Sequence, residues 1–174
     1  MPSVSVRRVI AADRAMVERL WLMFSHDMSE FGGQLPYPDG TFRAERLVAG
    51  FEDQGWATYI FAGPEHRPIG FAIVRSLDGP VRILNSFFVV RSMRRTGVGL
   101  KAVGAVVAEH PGPWKVAFQD ANEAALHFWR RVATELVGSD WTEERSKVPG
   151  RPDLPPDVWI SFNTPTDSRS PTSD

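Results

Sequence analysis

The chain has 174 residues, 43% of them hydrophobic and 24% charged, which indicates one soluble globular domain with a sizeable core. Its formal net charge of −1 argues against nucleic acid as the main partner, and its lack of cysteine excludes disulfides, thiolate metal ligands and a cysteine nucleophile. The first residues lack the apolar core of a secretion signal, and no apolar run approaches the roughly 20 residues of a membrane span. We therefore expect a cytoplasmic protein with no membrane partner.

The first third of the chain predicts a strand followed by two helices. Residues 3–10 alternate as a strand does, and Asp13 is suited to cap the helix that follows. Residues 31–40 are dense in glycine and proline and predict a loop, whereas residues 42–55 predict a second helix that ends at Gly55. The first helix presents one apolar face, formed by Val17, Leu20, Trp21, Phe24 and Met28.

The pattern then changes to that of strands. Residues 56–63, 68–76 and 81–90 are rich in β-branched and aromatic residues and are separated by short turns, so they predict three successive antiparallel strands. The later predicted elements are a helix ending near His110, a strand over 114–120, a helix over 122–135, and late strands over 137–142 and 157–163.

This order of elements predicts a mixed α/β fold with one central sheet, formed by a single domain over residues 1–163. The tail of residues 164–174 is polar and rich in proline and serine, which predicts disorder. Trp159 and Phe162 on the last strand could form a homodimer face or belong to the core, and the sequence leaves both open.

The stretch VVRSMRRTGVGLKAVG, residues 89–104, joins a predicted strand to a predicted helix. A helix N-terminus carries unpaired N–H groups and partial positive charge, so it suits an anion. Gly97 and Gly99 would let the backbone approach a diphosphate, and Arg94 and Arg95 could add charge-assisted hydrogen bonds. An ordinary connection with solvated arginines is the alternative, because both the Walker loop and the dinucleotide fingerprint are incomplete here.

The same stretch resembles the acyl-CoA-binding motif of the GNAT superfamily of N-acyltransferases, Arg/Gln-x-x-Gly-x-Gly/Ala. Arg94, Gly97 and Gly99 stand at the motif positions. The order of elements over residues 3–163 is similar as well. The amino-acid sequences of both motif regions resemble those of an uncharacterised bacterial branch of predicted acetyltransferases.

A second motif supports the resemblance. In that superfamily an Asn opens the helix after the fifth strand, followed by an Ala, an aromatic residue and often a Tyr. The corresponding residues here are Asn122, Ala125, Phe128 and Trp129.

The resemblance implies a mostly antiparallel, twisted sheet with one splayed parallel strand pair, and acetyl-CoA as the cofactor. Amides of residues 95–100 would cradle its pyrophosphate, and backbone groups of Phe88 and Val90 would pair with the pantetheine amides. Asn122 would bind the pantetheine arm, serve as an N-cap, or do both. The cofactor-binding residues implied are Phe88, Val89, Val90, Arg94, Arg95, Thr96, Gly97, Val98, Gly99, Leu100, Asn122, Phe128 and Trp129.

The implied reaction is direct transfer of an acetyl group to a primary amine of a small molecule within a ternary complex. A neutral amine attacks the thioester, a backbone N–H near Val89 or Val90 polarises the carbonyl, and no covalent enzyme intermediate forms. This route agrees with the absence of cysteine.

Two positions depart from the superfamily pattern. Many members carry a Tyr that protonates the leaving thiolate where this chain has Trp129, and an indole N–H is not a useful acid. Many also carry a Glu as general base on the strand before the first motif, where this chain has Asn85 and Ser86. Neither can act as a base, although either can hold a water that relays a proton.

Candidate residues near the acceptor lie around the first loop. Glu30 is a tentative general base, as is His26, and Asp27 and Tyr37 are tentative substrate-binding residues, although each can equally be a solvated or capping residue. No histidines or carboxylates share metal-ligand spacing, so we expect no metal. An ammonium-bearing substrate would suit the acidic residues beside the less patterned loops, which are Asp27, Glu30, Asp39, Glu143 and Glu144.

Two other functions compete with catalysis. A degenerate member of the superfamily would bind CoA or acyl-CoA as a sensor or interaction partner, which the missing Tyr and Glu would explain. A nucleotide- or nucleic-acid-binding module would use Arg91, Arg94 and Arg95, but the net charge and the lack of a wider basic run disfavour it.

Overall fold

The protein is described by a computed structural model over residues 2–166. The strands and α-helices are β1 (Ser5–Arg8), α1 (Arg14–Gly32), α2 (Glu45–Glu52), β2 (Ala57–Ala62), β3 (Pro68–Arg75), β4 (Arg82–Val89), α3 (Val98–Glu109), β5 (Gly112–Gln119), α4 (Glu123–Val137), β6 (Trp141–Ser146) and β7 (Asp157–Thr164). The tail predicted over residues 164–174 begins too early, because Thr164 is the last residue of β7 and pairs with Gly112, and its residues from 167 onward lie outside the described range.

The seven strands form one sheet in the order β1-β2-β3-β4-β5-β7-β6. Every neighbouring pair is antiparallel except β4 and β5, which run parallel. Their pairing covers only Arg82–Leu84 against Trp114–Val116, after which β4 continues to Val89 and β5 to Gln119 without pairing with each other. The mixed α/β fold expected from the order of elements is confirmed, as is the splayed parallel pair that the resemblance implied. We call the space between residues 85–89 of β4 and residues 117–119 of β5, which do not pair with each other, the β4–β5 gap.

Helices cover the sheet on both faces. Helices α1 and α2 pack on one face, here called the α1/α2 face, and α3 and α4 pack on the other, the α3/α4 face. Burying apolar surface on both sides is what stabilises this three-layer arrangement. The core of the α1/α2 face consists of Val17, Leu20, Trp21, Leu47, Ile60, Phe71, Ile73 and Phe88.

The prediction of a strand over residues 137–142 is wrong in its position. Helix α4 runs on to Val137, Gly138 at φ +67° ends it, and the strand begins at Trp141. Glycine adopts this left-handed conformation without the steric cost of a Cβ, so the chain turns there before pairing. On β7, Phe162 belongs to the core while Trp159 is half-buried on the opposite face.

Asp13 stands at the start of α1 as predicted, but its side chain does not cap that helix. Its carboxylate instead accepts two hydrogen bonds from the Arg7 guanidinium, at 2.7 and 2.9 Å, and one from the Ile10 amide at 2.8 Å. These donors lower the pKa of Asp13 to about 2. They tie β1 to the beginning of α1.

Replacing Asp13 with Asn is therefore expected to reduce stability in a pH-dependent way. Because the folded-state pKa is lowered, the stabilising contribution is complete above the ordinary value near 4 and is lost as the pH falls toward about 2. We expect a difference of up to about 1 kcal/mol at pH 7. Denaturant unfolding from pH 7 to pH 2 tests this, and a difference that stays constant over that range would rule it out.

Candidate cofactor and acceptor site

The connection from β4 to α3 leaves a run of backbone amides pointing away from the helix. Arg95 and Gly97 both adopt left-handed backbone conformations, with φ of 65° and 88°, and such residues curve the chain so that successive N–H groups converge. Within residues 2–166, no oxygen accepts a hydrogen bond from the amides of residues 95–100, whereas the Lys101 amide bonds to the Gly97 carbonyl at 3.2 Å. We call residues 95–100 the anion loop.

Glycine is required at positions 97 and 99 of the anion loop for two different structural reasons. Gly97 precedes Val98, the first residue of α3, and its positive φ is one that residues with a Cβ rarely adopt. A Cβ on Gly99 would lie 3.2 Å from the Phe128 ring, so this glycine lets α3 approach α4. The sequence suggested only the approach of an anion for Gly99, and the packing against Phe128 is an additional finding.

Asp27 on α1 bridges two arginines of this connection. Its carboxylate pairs with Arg94 and, at 2.9 Å, with Arg91. Burial of Asp27 disfavours its charge, but the hydrogen bonds from Arg94 and Arg91 outweigh this effect, and its pKa is lowered. Arg94 also donates to the Val89 carbonyl at 2.8 Å and lies over the Phe88 ring. An acceptor that bound Asp27, as the sequence suggested, would have to compete with both arginines.

The backbone of β4 presents alternate residues to the β4–β5 gap. The Val90 amide donates to the Ile69 carbonyl at 2.8 Å, so in this antiparallel ladder the N–H groups of Phe88 and Val90 point toward β3. Phe87 and Val89 consequently direct their backbone groups into the gap. This corrects the pairing expected for Phe88 and Val90 by one residue. The sequence shows that backbone directions alternate along β4, but which residues face the gap depends on the β3–β4 register, which only the structure gives.

Aromatic side chains close the gap on the α3/α4 face. The rings of Phe87 and Phe128 stack with centroids 5.2 Å apart, and Trp129 meets Phe87 edge-on at 5.3 Å. Trp129 is only 6% exposed and belongs to the core. These contacts show a packing role for Trp129, and its contact with the cofactor stays a prediction.

A bulge in β4 turns two polar side chains onto the α1/α2 face. Ile73 pairs with Ser86 and Val74 pairs with Leu84, which leaves Asn85 without a partner residue. Asn85 accepts a hydrogen bond from Arg75 at 3.2 Å and donates one to the Ser86 hydroxyl at 3.2 Å. Ser86 is buried, with 3% of its surface exposed. The two polar residues predicted from the sequence thus lie together, at the point where β4 leaves β5.

A groove of about 500 Å³ on the α1/α2 face runs beside the end of β4. Leu22 and Met23 of α1 form one side, and Phe88 and Val90 form the other. Ser86 lies two residues before Phe88 on β4 and points to the same face. The end of the groove at Phe88 is therefore next to the bulge. An amine with an apolar body could reach the β4–β5 gap along this surface.

The other residues predicted for the acceptor lie away from this polar pair. Glu30 is exposed near the end of α1, and Tyr37 is 53% exposed in the following loop. Neither side chain forms a hydrogen bond with another residue of the described range 2–166. Their roles stay predictions. In the same range, no three His, Cys, Asp or Glu side chains are arranged to hold a metal ion, and no helix is long and apolar enough to cross a membrane.

Asn122 caps α4 as predicted, since its Oδ1 accepts a hydrogen bond from the Ala125 amide at 3.0 Å. Asn122→Asp would keep this acceptor and remove the Nδ2 donor, whereas Asn122→Ala would remove both. We expect the Ala variant to lose about 1 kcal/mol of stability and the Asp variant to lose almost none. If Nδ2 binds pantetheine, both variants bind acetyl-CoA several-fold more weakly in calorimetry. Wild-type affinity in Asn122→Asp would leave only the capping role.

The chain matches the model of the Acetyltransferase (GNAT) family over residues 17–133, more than half of its length. No curated protein sequence is significantly similar to it. Several solved structures share the fold. An acetyltransferase of the GNAT family from Staphylococcus aureus superimposes with a TM-score of 0.65 at 14% identity, covering 94% of this chain and 100% of its own.

Two further structures have named substrates. Spermidine N-acetyltransferase from Vibrio cholerae, in complex with CoA and spermine, has a TM-score of 0.66 at 10% identity, covering 92% of this chain and 95% of its own. The ribosomal-protein-S18-alanine N-acetyltransferase from Escherichia coli has a TM-score of 0.64 at 12% identity, covering 97% and 99%. At these identities the structures show a shared fold.

Proposed function

This chain belongs to the GNAT acetyltransferase family, and we propose that it transfers the acetyl group of acetyl-CoA to a primary amine of a small molecule within a ternary complex. The observation that carries the proposal is the anion loop, whose amides have no acceptor within residues 2–166 and which begins α3 beside the β4–β5 gap. Converging amides at a helix N-terminus suit a diphosphate.

Each part of the site then has one task. The anion loop holds the diphosphate, with Arg94 kept at its edge by Asp27 and the Val89 carbonyl. The backbone groups of Phe87 and the N–H of Val89 in the β4–β5 gap pair with the amide groups of the pantetheine arm. An N–H of this same edge faces the thioester carbonyl and stabilises the negative charge that develops on its oxygen. Acetyl-CoA supplies the activated acetyl group, and the protein orients it.

The acceptor amine approaches from the α1/α2 face. The groove beside Phe88 provides an apolar surface there, and Asn85 and Ser86 provide polar groups further along β4 on the same face. A small amine as the acceptor is also consistent with the substrate of the spermidine acetyltransferase of the same fold, whose structure contains spermine. The cytoplasmic location and the homodimer considered from the sequence stay predictions.

One observation favours a second candidate, a CoA-binding protein with little catalysis. Trp129 occupies the position where many relatives carry a Tyr, and it is packed among Phe87 and Phe128 rather than available as an acid. The thiolate of CoA is a good leaving group that water can protonate, so this substitution does not remove the reaction. It does remove one acid that relatives use.

Two measurements test the proposal. Calorimetry with acetyl-CoA should show binding, and a thiol-release assay with a panel of primary amines should show free CoA appearing faster than without amine. Binding without amine-dependent release would support the CoA-binding alternative. The absence of acetyl-CoA binding would contradict both.

A further inference from the structure

Asp157, the first residue of β7, points to the α1/α2 face of the sheet. The alternate residues Val158, Ile160 and Phe162 are buried on the α3/α4 face, so Asp157 must point the opposite way. Arg46 of α2, the helix that packs on this face, is close enough for its positive charge to act on Asp157. Nothing in the sequence motifs marked this residue.

The sheet register brings Asp157 level with the bulge. It pairs with Gln119, the last residue of β5, and Ser86 lies two residues beyond the last β4–β5 pair. Ser86 shares the α1/α2 face with Asp157, because it pairs with Ile73 of that core. On β5 between them, Ala117 and Gln119 share this face, and Trp159 of β7 pairs with Ala117. Asp157 and Ser86 therefore lie on the same face of the sheet, on either side of β5 and close to the β4–β5 gap.

The Asp157 carboxylate is half-buried, and no group of residues 2–166 donates a hydrogen bond to it. Burial raises its pKa, and the positive charge of Arg46 opposes that rise. Other charged groups on this face include Arg75, which is bonded to Asn85, Lys115 on β5 and Glu144 on β6, and the charges of Arg43 and Glu45 act on Arg46. A half-buried carboxylate without a donor is suited to a cation brought by a ligand.

We propose that Asp157 binds the ammonium group of the acceptor amine and takes its proton. The inference rests on the proposed function and names the acceptor class, a cationic alkyl amine. One ammonium proton passes to an Asp157 oxygen, directly or through a water held by Ser86. The neutral nitrogen attacks the acetyl carbon, so that a C–N bond forms and the C–S bond breaks. The sulfur leaves as the CoA thiolate with the bonding electron pair, and the second nitrogen proton passes to it or to water.

The test compares Asp157→Asn and Asp157→Glu with a matched control, Asp153→Asn, in which an exposed carboxylate paired with Arg151 is changed in the same way. Calorimetry first measures acetyl-CoA binding, then the binding of alkyl mono- and diamines from propylamine to 1,6-diaminohexane to the CoA-loaded protein. We expect Asp157→Asn to keep the acetyl-CoA affinity within about twofold and to weaken amine binding at least about tenfold. Asp153→Asn should match the wild type.

Turnover gives a second readout. We expect Asp157→Asn to lower kcat/KM for the amine about 100-fold or more. The pH profile of its kcat/KM should also lose the acidic limb. Asp157→Glu should recover part of the activity and part of the acidic limb. Unchanged amine affinity and pH profile in Asp157→Asn would overturn the inference, as would a wild type that binds none of these amines. Amine binding that depends on Asp157, without acetyl transfer, would support its binding role and contradict the proposed function.

Discussion

Gly97→Glu is expected to weaken acetyl-CoA binding by about 100-fold or more. Gly97 adopts a φ of 88°, and a residue with a Cβ there costs about 1–2 kcal/mol or forces the anion loop to change shape. The new carboxylate would also stand beside the proposed diphosphate, where like charges about 4 Å apart repel by up to about 4 kcal/mol near a protein surface. A 100-fold loss corresponds to about 2.7 kcal/mol, within the sum of these effects.

Gly104→Glu is the matched control for that experiment. Gly104 lies on the same helix, α3, and a Cβ there would meet no atom within 4 Å. Calorimetry should therefore give this variant an acetyl-CoA affinity close to that of the wild type, and thermal unfolding should show that both variants are folded. Equal weakening in the two variants, or none in Gly97→Glu, would show that the diphosphate does not bind at the anion loop.

Gly70→Ala is expected to cost about 3 kcal/mol or more of unfolding free energy. A Cβ on this β3 residue would lie 2.1 Å from the Phe88 carbonyl oxygen and 3.0 Å from the Phe61 ring. The closer atom belongs to the backbone of β4 and cannot rotate away, so β3 and β4 would have to separate where Phe71 pairs with Phe88. Because β4 also forms one edge of the β4–β5 gap, we expect weaker acetyl-CoA binding as well.

Gly104→Ala again serves as the control for that variant. Its added methyl group meets no other atom within 4 Å, and helix propensity predicts a gain of about 0.5–1 kcal/mol. Denaturant unfolding of the three proteins measures the two differences directly. A Gly70→Ala protein within about 1 kcal/mol of the wild type would mean that the strands are less closely spaced here than the structure shows.

Local patterns predicted most of the elements because each depends on its own residues. The apolar spacing of Val17, Leu20 and Trp21 marked the buried face of α1, and these three are the buried residues of that helix. Helix α4 ends at Gly138, which has a positive φ. A glycine permits this conformation but does not require it, so the sequence alone did not locate the end of the helix. The late strand was therefore placed four residues too early.

The site was predictable where a motif marks it and unpredictable where distant strands form it. The anion loop is one continuous segment, so its glycines and arginines were visible in the sequence. Asp27 and Arg94 are 67 positions apart, and only the packing of α1 brings them together. The face of Asp157 depends on the insertion of β7 between β5 and β6, which no local pattern specifies.

The bulge at Asn85 links the fold to the proposed chemistry. It places the side chains of Asn85 and Ser86 on the α1/α2 face, while Phe87 packs with the α3/α4 core. The backbone edge proposed for the thioester therefore lies in the plane of the sheet, and the polar groups proposed for the amine lie beside it on the α1/α2 face. A ternary complex needs this arrangement, because both reactants must be present before transfer.

A crystal structure of the complex with acetyl-CoA tests the central claim most directly. We expect diphosphate oxygens within about 2.7–3.2 Å of amides in the anion loop. The thioester should lie in the β4–β5 gap beside Phe87 and Val89, and its carbonyl carbon should be open to the α1/α2 face. A diphosphate bound elsewhere on the protein, or a thioester outside the β4–β5 gap, would contradict the proposed site.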